Sequence, residues 1–342
     1  MNALAKHKVR FHTFFACPIL LTGLISSKTE NDPKRDSYGG QAVIEGVLMR
    51  SKSHLALALR RKSGEIERVQ RKIKSRFSKV LISVPFLRGF FILLDMLTYG
   101  LWALNYSQKR YIEDNGGVTG KENKFLTILL SIISITIALG VFKILPSALT
   151  EFISVYIYPL GNAGLNNAVE AVIRFGIFVG YVWGIGLLPE VQNVFRYHGA
   201  EHAVINAYED DPTDLSAETV AQKSRLHPRC GTSFITYLVV TGMFIYYFLD
   251  KALMDAGVPS PSGWPVWWVR LPIRILAIPL LAGFSYELIR VTFMLRKVFF
   301  VRFILYFGML FQLLTTRTPT PREAEVAVCA LLGVVNPIEK TE

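Results

Sequence analysis

The sequence predicts a membrane α-helical fold with about four transmembrane helices, a small N-terminal antiparallel β meander and cytoplasmic helices. Three observations predict it. Apolar residues make up 51% of the 342 positions and mean hydropathy is +0.34, too apolar for an ordinary soluble protein of this length. Several separate apolar runs reach bilayer-spanning length. Lys and Arg cluster in alternate loops between those runs, as in chains whose basic loops stay on the cytoplasmic side.

Residues 1–37 form an extension and linker. A basic run precedes a short apolar stretch at 14–25, which Pro18 and Gly23 interrupt and no small-residue cleavage pattern follows. It therefore reads as an amphipathic extension and not as a signal peptide. Residues 38–80 form a cytoplasmic meander with strands over 42–50, 54–61 and 65–73, separated by Ser-Lys-Ser and Lys-Ser-Gly turn chemistry. A sheet this small requires something to cover its apolar face. Residues 81–124 hold an apolar segment with Arg88 and Asp95 inside it. Each such charge costs ~2.5–3.5 kcal/mol at a bilayer centre, so an interfacial or protein-covered helix is expected there.

The first transmembrane hairpin occupies 125–189, with spans at 125–145 and about 169–188, the second stopping at Pro189. A cytoplasmic helix and loop fill 190–231. The second transmembrane hairpin occupies 232–290, with spans at 232–249 and 271–289. Interfacial and C-terminal cytoplasmic helices complete 291–342, where 298–314 carries Arg302 and Gln312 and either lies in the interface or spans. The loops 107–124, 190–231 and the stretch 290–302 each hold four Lys or Arg, against none in 146–168 and two in 250–270. Both termini, the sheet and the 190–231 segment are thus expected at the cytoplasmic face of the cell inner membrane.

The net charge of +12 is uneven, with about half of all Lys and Arg before residue 90. That distribution suits anionic lipid, so the lipid bilayer is the expected partner and a nucleic-acid groove is not. Beyond the bilayer, an unidentified protein partner or substrate is expected. Cys17, Cys230 and Cys329 are odd in number and far apart, which speaks against a disulfide framework and for a reducing compartment.

The chemistry concentrates after Pro189. In the run 190–205, Val191, Val194, Phe195, His198, His202 and Ile205 share one helical face, so two histidines continue a buried stripe. Residues four apart are neighbours on a helix, and both imidazoles reach one cation at about 2.0–2.1 Å. Glu201 lies beside them, completing His-x-x-Glu-His, the inverted zincin arrangement in which the carboxylate takes a proton from the attacking water. The blander reading is a pair of hydrogen-bonded core histidines, but two of only six histidines at ligand spacing beside a glutamate favour a metal. A second cluster, His227-Pro228-Arg229-Cys230-Gly231, has His-x-x-Cys spacing just before an apolar run; it is either a ligand pair or a tight turn with a packed cysteine. If His227 and Cys230 both join His198 and His202, the site is closed, which argues for structure over catalysis.

The runs 39–50, Tyr197-His198-Gly199-Ala200-Glu201-His202, His227-Pro228-Arg229-Cys230-Gly231-Thr232-Ser233-Phe234 and Ser285-Tyr286-Glu287 occur in this order. Together they resemble the YqhQ-like family of bacterial membrane proteins of unknown function, whose members are commonly labelled metal-dependent enzymes. The likeness covers about 38–335 and implies a metal without naming a substrate. At 315–319 the family pattern tends toward Arg-Glu-Pro, whereas this chain has Thr-Thr-Arg-Thr-Pro and keeps only Arg317.

Glu287 is a further candidate ligand, since the inverted arrangement takes a downstream glutamate; the alternative is an i,i+3 ion pair with Arg290. Glu45 either supports the site or a substrate, or faces water. The expectation is therefore a divalent ion, zinc, held among His198, His202, His227, Cys230 and Glu287, with Glu201 as catalytic base and Arg229 or Arg317 as an anion contact. That is a metal-dependent hydrolase at the cytoplasmic membrane boundary. The rival is a zinc-stabilised scaffold or assembly factor without catalysis.

Overall fold

The computed structural model describes residues 38–73, 83–117, 124–160, 163–228, 230–257, 272–273, 275–295 and 297–337. The extension at 1–37 lies outside these, as does Arg229.

The meander has four strands, β1 Gly39–Val43, β2 Gly46–Arg50, β3 His54–Arg60 and β4 Ile66–Lys72, paired antiparallel in sequence order. The expected single strand over 42–50 is thus a hairpin, with Ala42 opposite Val47 and a two-residue turn at Ile44 and Glu45. Glu45 takes a left-handed φ of 54°, an uncommon conformation for a residue with a side chain. Its carboxylate meets Asn193 and Tyr197, so tertiary hydrogen bonds hold the turn where local sequence has no Asn-Gly signal.

Both faces of the sheet are covered. Helix α1, Leu87–Asp114, packs Trp102, Ala103 and Tyr106 against Val43, Leu48, Leu55, Leu57 and Leu59. On the opposite face, Val47, Met49, Ala56 and Ala58 pack against the helices Pro189–Asp210 and Pro321–Val335. This double cover explains why β2 and β3 read as near-continuous apolar runs instead of alternating. The segment expected to be interfacial or protein-covered is α1, long and apolar enough to cross a membrane, with one side on the sheet. Its two charges are managed differently: Asp95 is buried, and Arg88 pairs with Glu287.

Helix α2, Lys124–Leu139, continues through a π turn at Gly140–Ile144 into α3, Leu145–Phe152, and a second π turn at Ile153–Ile157. The expected loop from residue 146 is therefore helical to Ile157. Pro146 does not stop the chain because it sits at the start of α3, where the wider turn relieves its missing N–H. Helix α4 spans Ala163–Ile185. Ile128–Ile157 and Gly164–Ile185, like Leu87–Asp114, are long and apolar enough to cross a bilayer. The first two of these leave large apolar side chains uncovered, Ile137 at 60% and Val172 at 67% exposure.

Helix α5, Pro189–Asp210, opens with proline at its first turn, as its sequence predicts. Then come α6, Ala217–Ala221, α7, Gly231–Asp255, α8, Ile278–Met294, α9, Phe299–Leu310, α10, Gln312–Thr315, and α11, Pro321–Val335. The expected spans at 232–249 and 271–289 thus fall on α7 and α8, with 271 and 274 outside the described residues. Among the described residues, three helices meet the length and hydropathy of a span. Helix α11 begins with a reciprocal cap between Thr320 and Glu323 and buries Ala324, Ala327, Ala330 and Leu331 completely. It joins the sheet and α5 into one core.

Candidate metal centre

The central stretch of α5 is wrapped on every side, since Tyr197 and Gly199 through Ile205 are all buried. This corrects the single stripe expected from periodicity, for Val191, Val194 and Phe195 stay half-exposed. The helix is gripped closely. A Cβ on Gly199 would lie 1.9 Å from the Arg317 carbonyl oxygen, and one on Gly40 would lie 2.9 Å from Cγ of Glu201. Glycine at both positions is therefore what lets the 315–317 segment and strand β1 approach the helix.

His198 and His202 present their rings one turn apart, with centroids 4.5 Å from each other. Cys230, the residue before α7, brings its sulfur to 3.3 Å from His198 Nε2. One ligand atom from each of His198, His202 and Cys230 can be chosen so that all three lie within 4.8 Å of one another, room for a single cation between them. Nδ1 of His198 faces the Thr315 carbonyl at 2.9 Å and Nδ1 of His202 faces the Arg225 carbonyl at 2.7 Å. A carbonyl only accepts, so each Nδ1 carries a proton, and each ring, once neutral, has its Nε2 lone pair for the centre. Nε2 of His202 and Oε2 of Glu201 are buried and make no hydrogen bond of ordinary geometry among the described residues. Two orphaned buried acceptors beside a thiol fit a cation.

The electrostatics agree with that fit. Burial works against the His198 imidazolium, but the hydrogen bond and charge of Cys230, then Glu201 and the Thr315 carbonyl, overcome it and raise the pKa to about 9. Burial alone would raise the Cys230 thiol; His202 and His198 outweigh it and hold the thiol well below its usual range. Burial pushes the Glu201 carboxyl up to about 7, opposed by His198, His202 and the Gly40 N–H. Without a cation, then, a proton sits between His198 and Cys230, in the place a cation would take.

His227 and Glu287 stand apart from this trio. The His227 ring is buried 6.1 Å from that of His202, centroid to centroid, with Nε2 3.7 Å from Glu209. Burial brings its pKa down to about 4. Its backbone is clamped by the buried Gln312, which accepts from His227 N–H at 3.0 Å and donates to its carbonyl at 2.8 Å. Glu287, the further candidate ligand, accepts both arms of Arg88, with Nε at 2.6 Å, so it sits in an ion pair with α1 and not in the alternative pair with Arg290. Arg317 is exposed and its guanidinium reaches the Gly186 carbonyl at 3.3 Å. Glu45 bridges Asn193 and Tyr197, the second of which directly precedes His198. The supports the sequence reading missed are Tyr197, Gly40, Gln312 and the carbonyls of Arg225 and Thr315. Gly40 and Gln312 had a signal, as a glycine pair before a strand and an amide in an apolar run; a carbonyl contact leaves none.

Residues 84–337 match the family described as a protein of unknown function (DUF1385). The chain is also 32% identical over 304 residues, 85% of its length, to the uncharacterized protein YqhQ of Bacillus subtilis (strain 168), 90% of which is covered. No solved structure matches. The chain belongs to the DUF1385 family, with YqhQ as a relative.

Proposed function

We propose that this family member is a multi-pass protein of the bacterial inner membrane, its termini cytoplasmic, that binds one zinc ion through His198, His202 and Cys230 and acts as a hydrolase. The observation that carries the reading is the pair of imidazoles whose Nδ1–H groups are fixed on carbonyls, leaving both Nε2 atoms and the Cys230 sulfur around one point beside an orphaned Glu201 oxygen. Nitrogen and thiolate ligands suit zinc, and three protein ligands leave a fourth position open. When bound, zinc would polarise the substrate oxygen and make a water acidic enough to react near neutrality. Glu201, raised to about 7, is matched to accept that water's proton and return it to the leaving group. His198 and His202 hold their orientation through Thr315 and Arg225, and the low thiol pKa supplies an anionic ligand at Cys230.

A second reading has its own support. His202 is 1% exposed and the trio ties α5, the loop before α7 and the 315–317 segment together, as a structural zinc would in a scaffold or assembly factor. Zinc content and complementation of a strain that needs the protein separate the two. In a hydrolase, Glu201→Gln keeps zinc and membrane abundance but lowers activity by about 10²–10⁴-fold, the range for a positioned base, and complementation fails. In a scaffold, Glu201→Gln is silent while Cys230→Ser loses zinc and abundance together. A silent Glu201→Gln removes the hydrolase; wild-type zinc content in His198→Ala/His202→Ala removes the metal site.

A further inference from the structure

The candidate metal centre lies where apolar helices end. Cys230 directly precedes α7, Thr315 is the last residue of α10, and Gly186 directly follows α4. These three helices touch one another, with Phe178 of α4 stacked on Phe311 at 5.3 Å between ring centroids. Gln312 of α10 ties down the backbone of His227 in the loop before α7, and Arg317 reaches the Gly186 carbonyl. Helix α4 is long and apolar enough to cross a bilayer, and just beyond its end Leu187 and Leu188 are exposed, as are Leu310 and Leu313 beside the start of α10. Ligands anchored to the last residues of such helices sit at headgroup depth, within reach of the bilayer.

An apolar face leads from that level to the ligands. Val191, Val194, Phe195 and His198 fall at i, i+3, i+4 and i+7 on α5, along roughly 10 Å of helix. The three apolar side chains are only half-buried, although the next turns of the same helix are wrapped completely. Phe195 meets the end of α4, since a Cβ on Gly186 would lie 3.1 Å from its ring. Of the three ligands, His202 and Cys230 are buried and His198 is half-buried, so the centre is approached along this face. A hydrocarbon chain laid there would complete the burial that the fold leaves unfinished.

Two arginines stand beside the same face. Arg317 donates its backbone N–H to the Phe195 carbonyl at 2.8 Å, and Arg225 donates Nη1 to the Thr316 carbonyl at 2.8 Å. Burial and then the charge of Arg317 bring the Arg225 pKa down, which marks the two guanidiniums as near neighbours. Neither forms an ion pair with an acid among the described residues; both are answered only by carbonyls. Adjacent guanidiniums without a carboxylate suit an anionic group that accepts from both.

Taking the zinc hydrolase reading as its basis, we propose that the substrate is an anionic lipid drawn from the bilayer, its hydrocarbon chain along Val191, Val194 and Phe195 and its charged head beside Arg225 and Arg317. The head then meets the centre at the height where the lipid already holds it, and the chain never leaves apolar surroundings.

The test uses the full zinc-loaded chain as Glu201→Gln, so that no turnover is required. It is placed in phosphatidylcholine nanodiscs doped with phosphatidic acid that carries a diazirine in its acyl chain, and cross-linked residues are mapped by mass spectrometry after illumination. The expected result is label on Val191, Val194 or Phe195, lowered about fivefold by Arg317→Gln, the ~1 kcal/mol that one basic side chain contributes toward an anionic lipid. Phosphatidylcholine carrying the same diazirine should show no dependence on Arg317→Gln. Val194→Glu, with zinc content and thermal midpoint retained, should lose the label on α5. Label confined to α2, α3 and α4, or label on α5 that Arg317→Gln leaves unchanged, overturns the proposal. Hydrolysis of p-nitrophenyl phosphate by the wild-type chain without label on α5 overturns it while the hydrolase stands. Arginine-dependent label on α5, with Glu201→Gln silent in complementation, keeps the lipid site and removes the hydrolase.

Discussion

Replacing Gly199 by alanine adds a carbon that would lie 1.9 Å from the Arg317 carbonyl oxygen, where real Cβ atoms essentially never come within 3.0 Å. The obstacle is backbone, so relief means parting α5 from the 315–317 segment by about 1 Å or more, since carbon–oxygen contacts settle at ~3.3 Å and beyond. Two hydrogen bonds join these elements, Arg317 N–H to the Phe195 carbonyl at 2.8 Å and His198 Nδ1–H to the Thr315 carbonyl at 2.9 Å. Stretching both past hydrogen-bond length costs about 1 kcal/mol each. Overpacking adds ~1–3 kcal/mol, for a total of about 3–5 kcal/mol. The same shift turns the His198 ring away from its lone-pair geometry, so zinc content falls along with stability. The assay is thermal denaturation of detergent-solubilised protein beside zinc analysis. Gly176→Ala and Gly180→Ala serve as controls, because a Cβ at either meets nothing within 4 Å. These should be neutral or stabilising by ~0.5–1 kcal/mol, since alanine is the better helix former. A Gly199→Ala protein with the controls' midpoint and full zinc would refute the close packing of α5 on the 315–317 segment.

Zinc affinity should fall with acidity, because His198 has a pKa of about 9 in the metal-free site and its Nε2 must lose a proton to ligate. Below about pH 9 each unit of acid costs roughly tenfold; competition titrations with a chelator that give flat affinity from about pH 6 to 8 would contradict this. Arg88→Met should destabilise by ~3–5 kcal/mol by leaving Glu287 uncompensated, whereas Arg88→Met/Glu287→Met should recover most of the loss. Equal denaturation midpoints for the single and double variants would reject that pairing. A cysteine introduced at residue 162 should react with an impermeant maleimide in intact cells while one beside the C-terminus should not; the reverse labelling would overturn the orientation.

Much of this fold is written in local patterns. Unbroken apolar runs mark the long helices because their exposed faces require it, and Pro189 marks the start of α5 because a first-turn proline forfeits no hydrogen bond. The i,i+4 spacing of His198 and His202 carries the core of the candidate metal centre for a similar reason: helix geometry alone makes them neighbours. Contacts between distant segments decided the rest. Cys230 joins the two histidines, while His227, three residues earlier, turns toward Glu209, its backbone clamped by Gln312. Glu287 pairs with Arg88, far along the chain, in place of nearby Arg290, since α1 and α8 pack at Gly89 and Gly283, where a Cβ would strike Tyr286 and the Phe86 carbonyl. The turn at Glu45 exists because Asn193 and Tyr197 hold its carboxylate, overriding the strand propensity that made 42–50 read as one strand. Local sequence determined most of the helical segments and the neighbouring positions of His198 and His202; loop conformation and inter-element packing, whose energies come from residues tens to hundreds of positions away, determined that Cys230 joins them and that Arg88 is the partner of Glu287.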